Sequence, residues 1–351
     1  LQQLLEPLGL NNNANLESFL ALRTRLPTEQ GLTSYAANLF RDWCWGDAEN
    51  ATSLRAISAM LTDQRPSRVL VLGAGAGRLA YDAHQSLKPQ ATLALDNNPL
   101  FTSVLTRVAA GESVQLIEFP LAPNKAADTA IERTLAAPSP ATPGFQCVLA
   151  DGLRAPFLPG SFDLVITPWF VDVVQAQPPE GVARINHLLA GGGTWINHGS
   201  LTFSGPDPAS HLCLDEFIEV ITDSGFAHNA TSEEEAAYLD CPQSRHSRRE
   251  HVATTSATKV ADIDQPKRHQ SLPEWLVAGR APVPALPQFQ SQALSMRIHA
   301  FIMSIIDGKR SLKDMATVME EQQLMTKAEA EQAIRGFLIK MFDEAQRGRG
   351  Y

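Results

Sequence analysis

Three glycines separated by single residues, Gly73, Gly75 and Gly77, follow the apolar run Val69 to Leu72. Such glycines let the backbone take positive φ and let a ligand approach where a Cβ would stand in its way. Leu79, Ala80, Ala83 and Leu87 then recur at helical spacing. The pattern predicts strand, tight turn and helix, the helix beginning near Ala76 or Gly77 with its free N–H groups facing the ligand. Two more apolar runs end in acids: Ala91 to Asp96, followed by Asn97, and Phe145 to Ala150, followed by Asp151 and Gly152. An acid about twenty residues beyond the glycines can accept both hydroxyls of a ribose. These residues predict a nucleotide cofactor held along one edge of an α/β sheet.

The spacing narrows the cofactor. A dinucleotide fold wants a third glycine three residues after Gly75, and that position is Arg78. The G-x-G-x-G spacing instead resembles class I methyltransferases that bind S-adenosyl-L-methionine, in which residues such as Asp151 and Gly152 flank the adenine ring. A fourth apolar run, Phe162 to Ile166, leads to Pro168, Trp169, Phe170 and Asp172, and a fifth, Thr194 to His198, follows a glycine triplet. Methyl transfer from a sulfonium is an in-line displacement, so the protein chiefly aligns donor and acceptor. Asp172 would hold an acceptor N–H and steady the positive charge passed to it; its structural alternative is a helix cap. Trp169 and Phe170 would wall the methyl site or simply pack. His198 is a candidate general base, the alternative being a histidine fixed by its neighbours. Arg248 and Arg249 would meet an acceptor carboxylate, or form a solvated pair.

Length and composition bound these readings. The chain has 351 residues, 44% of them apolar, and no apolar run near the ~20 residues that span a membrane. The four cysteines are scattered without metal spacing, which fits reduced thiols in a cytoplasm and no structural metal. Net charge is −9, and from Gln265 onward 12 Lys and Arg face 9 Asp and Glu, so the acidic excess lies in the catalytic part. An acidic body is a poor partner for nucleic acid.

In chain order, residues 1–64 read as an N-terminal helical cap, 65–264 as the Rossmann-like sheet domain, 265–287 as a Pro-rich linker and 288–351 as a small helical domain. Within the sheet domain, Glu112 to Thr142 reads as an insertion carrying one helix, about Lys125 to Leu135. Phe226 to Ala230 and His251 to Val260 would pair as a closing antiparallel hairpin.

Several segments carry a finer resemblance. Trp195-Ile196-Asn197-His198-Gly199-Ser200-Leu201 is similar to the W-I-N-x-G-P-L stretch of the carnosine N-methyltransferase-like family. Arg41-Asp42-Trp43-Cys44-Trp45-Gly46 resembles its R-D/E-W-S/C-x-x-G segment, Gly73 to Ala80 its G-A-G-x-G-R-L-A, and Phe170-Val171-Asp172 its F-I-D. The resemblance covers about residues 38–260. It implies an N-methyltransferase acting on a small amine, imidazole or short peptide. It further implies that Arg78 reaches the cofactor carboxylate, that Trp43 shields the sulfonium, and that Asn197 and Asp172 meet the acceptor. The family's acceptor-side His falls on Ser204, its Tyr on Phe203 and its later Tyr cluster near Ser247 to Arg249. The opposing reading is a non-catalytic cofactor-binding scaffold or sensor. Ile306 to Leu312 resembles the D-G-x-R-S/T turn of winged-helix peptide-binding domains, which implies a peptide or protein contact there; a plain helical appendage is the alternative.

Overall fold

A computed structural model describes residues 35–61, 65–174, 178–203, 211–264, 280 and 282–347. The chain divides into two compact units, Leu1–Leu272 and Pro273–Tyr351. Most of the expected helical cap before Tyr35, the linker residues 265–279 and Ser204 lie outside the described residues.

Among its described residues the first unit opens with α1 (Ala36–Phe40), a π-helical turn (Arg41–Trp45) and α2 (Asp47–Ala59). Then come β1 (Arg68–Leu72), α3 (Arg78–Leu87), β2 (Ala91–Asp96), α4 (Pro99–Ala109), β3 (Val114–Glu118), β4 (Ile131–Leu135) and β5 (Phe145–Leu149). β6 (Phe162–Pro168), α5 (Pro178–Leu188), β7 (Leu189–Gly199), α6 (Leu214–Asp223), β8 (Phe226–Tyr238) and β9 (Arg248–Lys259) complete it. Seven strands form one sheet in the order β5-β2-β1-β6-β7-β9-β8. The first five are parallel, and β9 runs antiparallel to both β7 and β8. This is the Rossmann-like α/β sheet with the closing hairpin that the sequence predicts.

Burial explains the centre. Leu70, Val71 and Leu72 are fully buried, so β1 is covered on both faces and reads as a continuous apolar run. Strand order reverses between β1 and β6, and in such sheets the crevice outside the carboxyl ends at that point is where ligands bind. α3 begins at Arg78, one or two residues later than expected, because Gly77 is its N-cap at φ 91°. α4 is started by Asn98, whose side chain accepts the Leu100 N–H at 2.9 Å, with Pro99 at the first helical position.

The insertion corrects the sequence reading. Residues 131–135 form a strand, not a helix, paired antiparallel with β3 as a separate two-stranded ribbon. Ile131, Arg133 and Leu135 are more buried than Glu132 and Thr134, a period of two that overrode the helical assignment. The closing hairpin is also longer than expected, since β8 extends to Tyr238 and β9 starts at Arg248, opposite it in register.

The second unit holds three described helices, α7 (Pro287–Ser304), α8 (Leu312–Glu321) and α9 (Lys327–Arg347), around buried Ile302, Met315, Met319 and Ile334. The expected cap is present: Ser311 accepts the Asp314 N–H and Asp314 accepts the Ser311 N–H. Among its described residues this unit has no strand, so the edge of a winged helix is missing there.

Gly77→Ala should destabilise the first unit by about 2 kcal/mol or more. An alanine at that φ is strained, and its Cβ would collide with the Leu105 side chain. Chemical denaturation of the two proteins checks this.

Candidate functional site

The carboxyl ends of β1, β2, β5 and β6 open into a cavity of about 700 Å³. Gly73, Gly75, Asp96, Asn97, Asp151, Gly152, Pro168, Trp169, Phe170, Asp172 and Arg248 line it. Residues that sequence reading had spread over nearly two hundred positions thus meet at the switch point.

The ring of Phe170 organises the floor. A Cβ on Gly73 or on Gly152 would come within 2.7 Å of it. Those two glycines are therefore required by protein packing. Gly75 differs: at φ +59° it has no atom within 4 Å of where its Cβ would stand, so its bare backbone faces open cavity. The Gly75 N–H donates to Asp96 Oδ2 at 2.8 Å, and the Asn98 N–H donates to Oδ1 at 2.8 Å. Burial pushes the Asp96 carboxyl up to about 6, although the N–H groups of Asn98, Gly75 and Asn97 pull it back. Asp151 accepts the Leu153 N–H and so fixes the turn after β5.

The opposite wall is acidic and aromatic. Asp172 Oδ2 accepts the Thr202 N–H at 2.8 Å, while Oδ1 is buried without a hydrogen-bond partner. Asp172 thus ties the β6 end to the segment after β7 and caps no described helix. Burial raises its carboxyl above the ordinary range, and the Glu250 carboxylate adds to that. Trp169 stands at φ +43°, a left-handed conformation seldom taken by a side chain of this size. Its indole N–H donates to Glu250 Oε2 at 2.9 Å, and its ring lies 5.4 Å from that of Tyr238. Arg248 lies 4.3 Å over the Tyr238 ring and pairs with Glu250 at 2.8 Å. Arg41, from the π-helical turn, lies 5.4 Å from the centre of the same ring and pairs with Asp42.

Several expected site residues lie elsewhere. Trp43 is buried in the core, donates from Nε1 to the Ala76 carbonyl at 2.8 Å and packs edge-on against Tyr81. Arg78 donates from Nε to both Asp82 oxygens at 2.9 Å, and from an Nη to Asp47. Both residues pin the glycine turn and α3 to the cap from behind, and neither lines the cavity. Gly77 likewise serves helix packing. Asn197 is buried and accepts the Thr167 hydroxyl at 2.9 Å. Arg249 pairs with Glu235 and is largely solvated. His198 sits behind Trp169, its ring edge-on at 4.9 Å, with Nδ1 2.9 Å from the Thr254 hydroxyl. Burial lowers its pKa to about 4, so the ring is neutral, and it braces Trp169 from outside the residues that line the cavity.

Sequence reasoning missed Glu250, Tyr238, Arg41 and Thr202. The R-D-W segment was the available signal for Arg41, whereas Glu250 sits in the unbroken polar run Arg248 to His251, which marks no single residue.

No family model matches the chain, and no curated protein matches it. Solved structures of similar fold include the N-methyltransferase NodS of Bradyrhizobium japonicum with S-adenosyl-L-homocysteine bound. It is 12% identical over 65% of this chain and 99% of its own, at a TM-score of 0.43. A SAM-dependent methyltransferase of Methanosarcina mazei is 14% identical over 58% and 96%, at 0.39. The cyclase SpnF is 11% identical over 62% and 82%, at 0.42. Chemistry assigned to the cavity therefore rests on its own side chains.

Neutral His198 has a pH consequence. Below about 6.5 the unfolded chain binds a proton that the folded one refuses until about 4. Stability contributed by this group is full above that window and lost as pH falls through it, by roughly 3 kcal/mol in all. His198→Gln should therefore show a shallower loss of stability between pH 7 and 4.5, read from denaturation midpoints of the two proteins.

Proposed function

We propose that the first unit is an S-adenosylmethionine-dependent N-methyltransferase acting on a small amine, imidazole or short peptide. One observation carries the reading: a bare glycine backbone, Gly75, and a largely buried carboxylate, Asp172, line one cavity. The first suits a cofactor that must approach main chain, and the second an acceptor that brings a proton or positive charge.

The residues present fit the cofactor. Gly75 offers the cradle that a Cβ would fill. Asp96 keeps lone pairs beyond its backbone N–H contacts for ribose hydroxyls, and Asp151 and Gly152 line the place for a base. When bound, S-adenosylmethionine supplies an electrophilic methyl group on a sulfonium. The chain's own residues do the rest. Trp169 offers a ring face to a cationic nitrogen, while the Tyr238 ring is taken by Arg248. Asp172 accepts its N–H, which points the lone pair, steadies the charge it acquires, and takes the proton it then releases. Glu250 holds Trp169 and Arg248 in place, so the aromatic wall is fixed before the acceptor arrives. The local resemblance to the carnosine N-methyltransferase-like family supports a nitrogen acceptor. Arg248 and Glu250 stand near where that family has its Tyr cluster, which speaks for an acceptor other than carnosine.

Asp172→Asn should leave affinity for S-adenosylhomocysteine nearly unchanged and lower methyl transfer by one to three orders of magnitude, about 1.4–4 kcal/mol. Its amide oxygen can still accept the Thr202 N–H, so melting temperature should hold or rise as a buried charge is removed. Turnover at the wild-type level in this variant would return Asp172 to a structural role. Gly75→Val should abolish cofactor binding in calorimetry, since the side chain would enter the open cradle. Wild-type cofactor affinity should fall as pH drops through about 6, where the Asp96 carboxylate takes up a proton and loses acceptor capacity.

A further inference from the structure

Beside the first cavity lies a second, of about 860 Å³, formed by α1, by β3 with the segment after it, and by the turn joining β8 to β9. Ala37, Phe40, Leu116, Phe119, Leu121 and Leu239 give it an apolar lining. Tyr238 and Arg248 line both cavities. With the guanidinium 4.3 Å over the ring, this pair forms the wall between an acidic chamber and an apolar one.

The second chamber is a built feature. The β3–β4 ribbon belongs to no part of the seven-stranded sheet. It is stitched to the β8–β9 turn by a Pro123–Ser244 bridge, by the Asn124 N–H donating to the Gln243 carbonyl at 3.0 Å, and by Arg133 donating to the Gln243 side chain at 2.7 Å. Ile117, Phe119 and Leu121, spaced by two, remain 58%, 72% and 66% exposed. A ribbon that merely braced the sheet would carry charge on such a face. An exposed apolar ridge of this kind marks a place where apolar matter binds.

We infer that the methyl acceptor is an amphipathic amine. Its nitrogen stands beside Asp172, and a hydrocarbon chain or ring system passes Tyr238 and Arg248 into the second cavity. This rests on the acceptor reading above and narrows it: the polar chamber fixes the nucleophile, and the apolar chamber sorts acceptors by length.

The test is calorimetry on the full chain, with S-adenosylhomocysteine titrated first and straight-chain primary amines from butyl to decyl titrated into the loaded protein. Burial of each methylene should tighten binding about three- to fourfold until the cavity is filled. A Phe119→Asp, Leu121→Asp double variant should flatten that rise while leaving butylamine and S-adenosylhomocysteine affinity unchanged. Ala37→Trp, which narrows the cavity from α1, should bring the plateau to shorter amines. A flat series in the wild type, or an unaltered rise in both variants, overturns the inference. Binding of S-adenosylhomocysteine with a flat series removes this inference alone. Absence of S-adenosylhomocysteine binding removes the methyl-transfer reading and this one together.

Discussion

The contact on which the site depends is the burial of the Phe170 ring between two glycines. β1 and β5 each end in a turn whose backbone must come close to β6, and neither turn tolerates a Cβ where the ring lies. Phe170 therefore joins the ends of three strands that are distant in sequence, and it sets the depth of the crevice at the switch point. The backbone around it follows. Gly73 takes φ 68°, the Ala74 N–H bonds to the Leu95 carbonyl at 2.9 Å, and Gly75 is presented bare to the cavity. Trp169, the residue before Phe170, is left in a left-handed conformation that only strong neighbours can maintain. Glu250, Tyr238 and His198 are those neighbours.

Acid concentrated in a half-buried cavity is costly unless something positive enters it. Asp96 and Asp172 are both shifted upward by burial, which means that the empty fold bears part of the desolvation cost of each carboxylate. Asp96 offsets this with backbone N–H groups. Asp172 has one such contact and an oxygen left over. Arg248 and Arg41 lie near, but they are occupied by Glu250 and Asp42 and by the Tyr238 ring. Of these groups, what is left to a ligand is negative and hydrogen-bond accepting.

The sequence made the strand ends legible because a buried parallel strand leaves an unbroken apolar run and because glycines mark positive φ. Gly73, Asp96, Asp151 and Asp172 stand at or just beyond strand ends for that reason. Side-chain direction was not legible. Trp43 and Arg78 stand one turn from the cavity but point to its rear, and a linear motif does not tell one face of a turn from the other. Residues 131–135 carry two adjacent charges, Glu132 and Arg133, between apolar ends, which suits either a solvated helix or a ribbon, and only pairing with residues 114–118 decides between them. Glu250 and Tyr238 were invisible because their role comes from cross-strand register, which depends on where the β8–β9 hairpin closes.

That hairpin overhangs its sheet. β9 pairs with β7 only over residues 253–258, so residues 248–252 have β8 as their one strand partner. The glycine end of the cavity is embedded in a cooperative core, whereas the Tyr238–Glu250 end rides on a hairpin tip anchored by the β3–β4 ribbon instead of by the sheet. Substitutions at the tip are thereby insulated from the stability of the sheet. A gene encoding this architecture can vary a few residues around 238–250 with the glycine end of the cavity carried along intact.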